Sequence, residues 1–356
     1  MSEMLEYIVD ATNKILKKNV TKELIDASEQ GEWSGKLWNT LVEAGLVSIG
    51  IDEELNGTEG DAIDAFAVLR LAGKYAAPVP IFETIIAGWL LADQQVETTY
   101  QPTSFIMDWE SDLTGPEFVL KQVPWGRHVS QVVYIGNVNG RAKLILLPTA
   151  DAEVKQNQNI AGEPLDDLHF RSIDMEALTQ FEVEKEDLAE KVLNIGVLGK
   201  SAMMAGAMEQ VLELSVFYAN ERQQFGRPIG KFQAVQHHLA ALSSETAVVL
   251  AALNYAVASF EDGTIKEELP LAKMKISEAA GAVAGIAHQL HGAIGMTHEH
   301  QLHQVTRRLW AWREDFGNEM HWAKKLAKEY VDQNELTLWD FITEEKRGNV
   351  HAGSII

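Results

Sequence analysis

The chain has 356 residues, 46% hydrophobic and 23% charged, the make-up of a globular protein with more than one structural unit. Its net charge of -22 argues against nucleic acid or an anionic membrane as a partner. The lack of cysteine excludes disulfides, thiolate metal sites and a cysteine nucleophile, and it accords with a cytoplasmic location.

Met1 to Lys18 mixes Glu3, Glu6, Asp10 and Lys14 with apolar residues at helical spacing, so it reads as a helix and not as a secretion signal. Helical periodicity continues through Leu37, Leu41 and Leu46 and again through Ala65, Val68, Leu69 and Leu71. Asn56-Gly57 and Pro78-x-Pro80 interrupt it. The reading is a helical N-terminal domain over residues 1–100.

From Thr103 the pattern changes to short β-rich runs: Ser104 to Met107, Glu117 to Leu120, Gln131 to Ile135 and Ala142 to Leu147. Gly115-Pro116, Gly126 and Asn139-Gly140 separate them, and Asn-Gly between apolar runs signals a hairpin. This predicts a small antiparallel β domain over residues 101–186. Helical periodicity then returns, with breaks near Phe225 to Gly230, Gly263 to Pro270 and Gly292 to Thr297. Four or five long helices form a bundle over residues 187–345, followed by a tail over 346–356. The fold class expected is α+β, mostly α. Its longest apolar runs, such as Ala247 to Ala258, are shorter than a membrane span, so membrane insertion is not expected.

The segment with most chemical content is Glu221 to Gln233, where one helical pattern stops at Gly226-Arg-Pro-Ile-Gly230 and another starts. Arg222 offers a planar fork of donors suited to a pyrophosphate, and backbone beside Gly226 can approach an anion closely. Taken alone, Arg222 could equally cap carbonyls or pair with one of the many carboxylates. Five histidines lie between His288 and His303, but His298 and His303 lack the i, i+4 spacing of a helical metal pair, and no metal site is assigned. Trp310, Trp312 and Trp322 read as packing residues.

Arg222-x-x-Phe225-Gly226 with Gln233, and Gln289-Leu-His-Gly292-Ala-Ile-Gly295, resemble the paired signatures of the flavin-dependent acyl-CoA dehydrogenases. Asn56 to Gly60 and Ala77 to Thr84 resemble that family's first domain. The resemblance implies the three-part fold above, with FAD as cofactor, an acyl-CoA substrate and an electron-transfer acceptor. It also implies an obligate homo- or hetero-oligomer, dimer or tetramer, that shares the cofactor across its interface. Arg222, Phe225, Gly226 and Gln233 would contact the pyrophosphate and adenosine side, and Gln289, Gly292 and Gly295 would come from the neighbouring subunit.

The family's chemistry is removal of an α-proton by a carboxylate and passage of a β-hydride to the flavin. At the commonest position for that base this chain has Phe316, before Gly317. Some members of the family carry the base instead near the end of an earlier bundle helix, just before a glycine; here that segment ends Glu261-Asp262-Gly263, and the resemblance makes Asp262 the catalytic candidate, with Glu261 adjacent. Ala293 replaces one motif glycine, and the loop that packs on the flavin ring in active members is not recognisable. These departures open two alternatives to a self-sufficient dehydrogenase: a partner subunit that supplies only the ADP-binding side, and an oxidase-like flavoprotein. A helical scaffold without cofactor is a further rival.

Overall fold

The structure is a computed structural model and describes residues 3–332; the predicted tail over 346–356 lies outside the described residues. Five helices come first: α1 (Glu3–Asn19), α2 (Lys22–Glu29), α3 (Gly35–Glu43), α4 (Ala62–Lys74) and α5 (Ile81–Ala92). Their starts follow local chemistry. The Thr21 hydroxyl accepts from Leu24 N at the head of α2, and Asp61 and Asp64 form a reciprocal capping box on α4. Pro80, with no N–H to leave unpaired, precedes α5.

Seven strands follow: β1 (Thr103–Leu113), β2 (Phe118–Pro124), β3 (Gln131–Val138), β4 (Arg141–Pro148), β5 (Glu153–Lys155), β6 (Leu165–Phe170) and β7 (Gln180–Glu182). They form one sheet in the order β1-β3-β4-β7 and another in the order β2-β6-β5. The expected Asn139-Gly140 hairpin joins β3 to β4, with φ of 51° and 73° at its two turn residues. The expectation of an antiparallel region is corrected at one edge, because β1 pairs with β3 in parallel. The reason is topological: β2, between them in sequence, pairs in the other sheet, so the chain returns to β3 in the direction of β1.

Val132, Tyr134, Ile145 and Leu147 face a core shared with Leu120, Leu168 and Phe170 of the second sheet. Phe105, Val133, Ile135 and Leu144 point the other way, into the core of the helices. A sheet covered on both faces explains the unbroken apolar run of β3.

The remaining helices are α6 (Lys185–Glu221), α7 (Gln233–Glu261), α8 (Glu268–His291), α9 (Leu302–Glu314) and α10 (Glu319–Asp332), with the two-residue strands β8 (Gln223–Gln224) and β9 (Arg227–Pro228) between α6 and α7. The 37-residue α6 runs through the main core. Its glycines set how near its neighbours come: a β-carbon at Gly206 would fall 1.7 Å from the Arg70 carbonyl oxygen of α4. The early and late helices therefore share one core.

Among the described residues α7 alone is long and apolar enough to cross a membrane by length and composition, which corrects the shorter apolar run read from the sequence. One face of α7 packs on α6 and α8, and a third of its most apolar window is buried.

Candidate functional site

Where α6 ends, Arg222 leaves helical geometry, with φ -70° and ψ 120°, and its carbonyl accepts from Ile229 N at 2.8 Å. That bond closes a small hairpin in which Gln223 faces Pro228 and Gln224 faces Arg227. Phe225 and Gly226 form its tip, with φ of 53° and 79°, a turn of type I′. Glycine adopts this conformation freely, whereas phenylalanine rarely does. The Phe225 ring is 91% exposed, and its one aromatic neighbour is Phe232, edge-on at 6.1 Å. Arg227 is held over the Phe232 ring at 4.3 Å. Arg222 and Gln233, the first residue of α7, are exposed, and their side chains have no partner among the described residues.

The second motif lies at the same end of the bundle. Tyr218, one turn before Arg222, stacks on His291 at 4.5 Å, which ties the end of α6 to the end of α8. Gln289 is exposed on the last turn of α8, and Gly292 caps the helix with φ 61° and ψ -145°. A β-carbon at Gly292 would meet nothing within 4 Å, so this face is open. Gly295 differs: it is buried, and a β-carbon there would meet His291 at 2.9 Å and Leu302 at 3.0 Å. The structure thus gathers Arg222, Phe225, Gly226, Gln233, Gln289 and Gly292 at one solvent-facing end, with Gly295 packed beneath.

The histidines form a layer under this end. His291 Nδ1 donates to the Ala287 carbonyl at 2.8 Å, and His300 lies edge-on to its ring at 4.7 Å. His288 Nε2 bonds the Thr306 hydroxyl at 2.9 Å and stacks on Trp310. Burial lowers the pKa of His288, His291 and His300. Their clustering is visible in sequence, but their stacking on Tyr218 and Trp310 is not.

Phe316 lies elsewhere. It follows the end of α9 with φ 56°, and its partly buried ring packs against Phe105 at 6.4 Å and Phe82 at 6.2 Å. Gly196 of α6 faces it so closely that a β-carbon would be 2.5 Å from the ring. Beside these rings the Lys200 ammonium lies 4.3 Å from the Phe82 ring centre and 3.4 Å from both Glu83 and Asp315. Burial pushes Glu83 up and Lys200 down, but at the lysine the attraction of Glu83 and Asp315 wins and holds it cationic. Lys273 Nζ donates to the carbonyls of Trp312 and Arg313 at 3.2 and 3.3 Å, and burial lowers its pKa to about 8. No sequence signal marked these two buried lysines.

Asp262 is exposed at the far end of α7, where it serves as the C-cap. Glu261 beside it accepts a hydrogen bond from Ala62 N, at the start of α4, at 3.2 Å. The 29 residues of α7 span about 40 Å, so Asp262 and the Phe225 hairpin lie at opposite ends of one long helix. Asp262 lines neither of two sizeable cavities. One, of about 640 Å3, lies between α1, α4 and α7 around Phe66 and Leu253. The other, of about 600 Å3, lies near Met107, Leu193 and Trp322.

Helices, a two-sheet β region and a helical bundle, with an Arg-x-x-Phe-Gly hairpin open at one end, define a flavoprotein oxidoreductase architecture. Residues 2–94 match the acyl-CoA dehydrogenase N-terminal domain and residues 187–319 match its C-terminal domain. The chain belongs to the acyl-CoA dehydrogenase family, whose members are FAD flavoproteins.

It is 27% identical to acyl-CoA dehydrogenase IpdE2 of Mycolicibacterium smegmatis, over 86% of this chain and 93% of that protein. It is 24% identical to caffeyl-CoA reductase-Etf complex subunit CarC of Acetobacterium woodii, over 86% and 92%. The fold is shared with the ChsE4-ChsE5 complex from Mycobacterium tuberculosis, at TM-score 0.83 and 20% identity, over 95% of this chain and 99% of the other. Butyryl-CoA dehydrogenase from Megasphaera elsdenii shares it at TM-score 0.80 and 16% identity, over 92% and 99%.

The residues present fit FAD at one end only. Around the hairpin, an unpaired guanidinium, an exposed ring and open space at Gly226 and Gly292 suit a pyrophosphate and adenosine. Where the resemblance puts the family's base, Phe316 offers a phenyl ring and no proton acceptor.

Proposed function

We propose that this chain is the supporting subunit of a heteromeric acyl-CoA-oxidising flavoenzyme. In this role Arg222, Phe225 and Gly226 of the hairpin and Gln233 at the start of α7, with Gln289 and Gly292, hold the ADP side of a FAD shared with a second chain. That second chain supplies the carboxylate. Bound FAD supplies the hydride acceptor; this chain's contribution is to bind and orient. The observation that supports the reading is that Phe316, which the resemblance aligns with the family's base, is a phenyl ring packed against Phe82, Phe105 and Gly196.

The chain is tested alone and with a carboxylate-bearing family member by gel filtration and visible absorption. The expected result is a colourless chain that joins a yellow complex, which bleaches with acyl-CoA. In that complex Arg222→Ala loses flavin while assembly and stability hold. A chain that alone retains flavin and bleaches with acyl-CoA overturns the proposal and returns Asp262 to the role of base.

A further inference from the structure

Between α3 and the start of the β region lies a cleft of about 430 Å3, apart from the hairpin, from Phe316 and from the two cavities above. Its walls are Trp33, Trp38, Tyr100 and His128, with Asn39 and Ser130 at the rim, and none of the residues that line it carries a full charge. On a chain with net charge -22 such a neutral aromatic surface stands out.

Ser130 donates to Gln101, but other polar groups of the lining are uncommitted. Trp38 is 4% exposed, and its indole N–H makes no hydrogen bond within the described residues and is not sealed from the cleft. The His128 Nε2 is shielded from solvent and likewise lacks a partner. The amide of Asn39 and the hydroxyl of Tyr100 are also uncommitted within the described residues. Trp33, 37% exposed, stacks on His128 at 5.3 Å and leaves its outer face open. Tyr100 holds its ring at the mouth from a left-handed backbone, with φ 56°, a conformation rare for an aromatic residue.

We infer that this cleft binds a flat, uncharged heteroaromatic ring, stacked on Trp33 and accepting hydrogen bonds at its edge from Trp38 and Asn39. Stacking asks only for a π-face, and the indole and amide N–H groups select acceptor atoms on the ring edge. The neutral lining gives nothing to a phosphate or a carboxylate.

The test uses the full chain with its nine tryptophans labelled with nitrogen-15 and caffeine as probe, a flat neutral ring whose edge carries acceptors only. The indole signals of Trp33 and Trp38, assigned with Trp33→Phe and Trp38→Phe, should shift saturably, while those of buried Trp312 and Trp322 stay in place. Trp33→Ala should weaken binding about tenfold or more, as loss of a stacking ring does, and Trp33→Phe much less. Asn39→Ala, at an exposed position, should also weaken it without disturbing the fold. Shifts that survive Trp33→Ala, or no shift with saturating caffeine, overturn the site. Shifts with methyl glucoside but not caffeine overturn the ligand class.

Discussion

The ring of Phe316 sits where a side chain on Gly196 would have to go: a β-carbon at Gly196 would lie 2.5 Å from it. The two positions are far apart in sequence and are complementary in volume, one stripped to hydrogen and the other filled with phenyl. With Phe82 and Phe105 they form one aromatic cluster beside Lys200.

Gly196→Ala should therefore destabilise the chain by about 1–3 kcal/mol, the usual cost of overpacking. Phe316→Ala should also destabilise it through the void it leaves, by less than the ~3–5 kcal/mol of a fully buried phenylalanine because the ring is partly exposed. The double variant should lose clearly less than the sum, since the new methyl enters that void. Urea unfolding of the four proteins measures the coupling, and strict additivity would show that the two positions do not share one space.

Lys200 is the buried counter-charge of Glu83 and Asp315, at 3.4 Å from each. Lys200→Met leaves Glu83 buried and unpaired, and should cost about 3–5 kcal/mol. Adding Glu83→Leu should recover most of that loss, because an apolar pair of similar volume replaces the buried ion pair at little net cost. Thermal unfolding of the single and double variants decides it; a double variant no better than Lys200→Met would mean that the pair is not the cause.

Much of this organisation is legible in the sequence. Helix ends are marked by Pro80 and Gly292, and Asn139-Gly140 marks its hairpin, because turn chemistry is local. The strand β6 escapes notice because its inward positions are Asp166, Leu168 and Phe170. Asp166 is fully buried and paired with Arg127 at 2.6 Å, so a carboxylate occupies a place where alternation calls for an apolar residue. The parallel pairing of β1 with β3 escapes for another reason, since strand order is set by which sheet β2 joins. At the site, the Arg222 to Gln233 motif is contiguous and readable. The partners of Phe316 come from α5, β1 and α6, and only folding brings them together.

Phe225 carries a left-handed backbone at the tip of an exposed hairpin, with φ 53°. Phe225→Gly should relieve that strain and leave the isolated chain as stable or up to about 1 kcal/mol more stable. In the assembled flavoenzyme the same change should weaken flavin retention, since it deletes the exposed ring. Unfolding of the chain alone and flavin release from the complex read the two effects separately. A variant that lost stability alone would show that the ring supports the fold.

His303 gives the chain a stability that depends on pH. Burial, with the neighbouring Arg307 and then His298 adding to it, lowers its pKa to about 4, while Glu29 and Asp26 pull the other way. An unfolded histidine titrates near 6.5. Between those values the unfolded chain binds a proton that the folded chain refuses, so stability is complete above about pH 6.5 and falls as pH drops toward 4. His288, His291 and His300, lowered by their own burial, act in the same direction. Carboxylates contribute mainly below about pH 5, which leaves pH 6.5 to 5.5 as the window in which the histidines dominate. The melting temperature should decline across that window in the native chain and decline less in His303→Gln, where no proton is taken up. Equal slopes would show that His303 is not the group responsible.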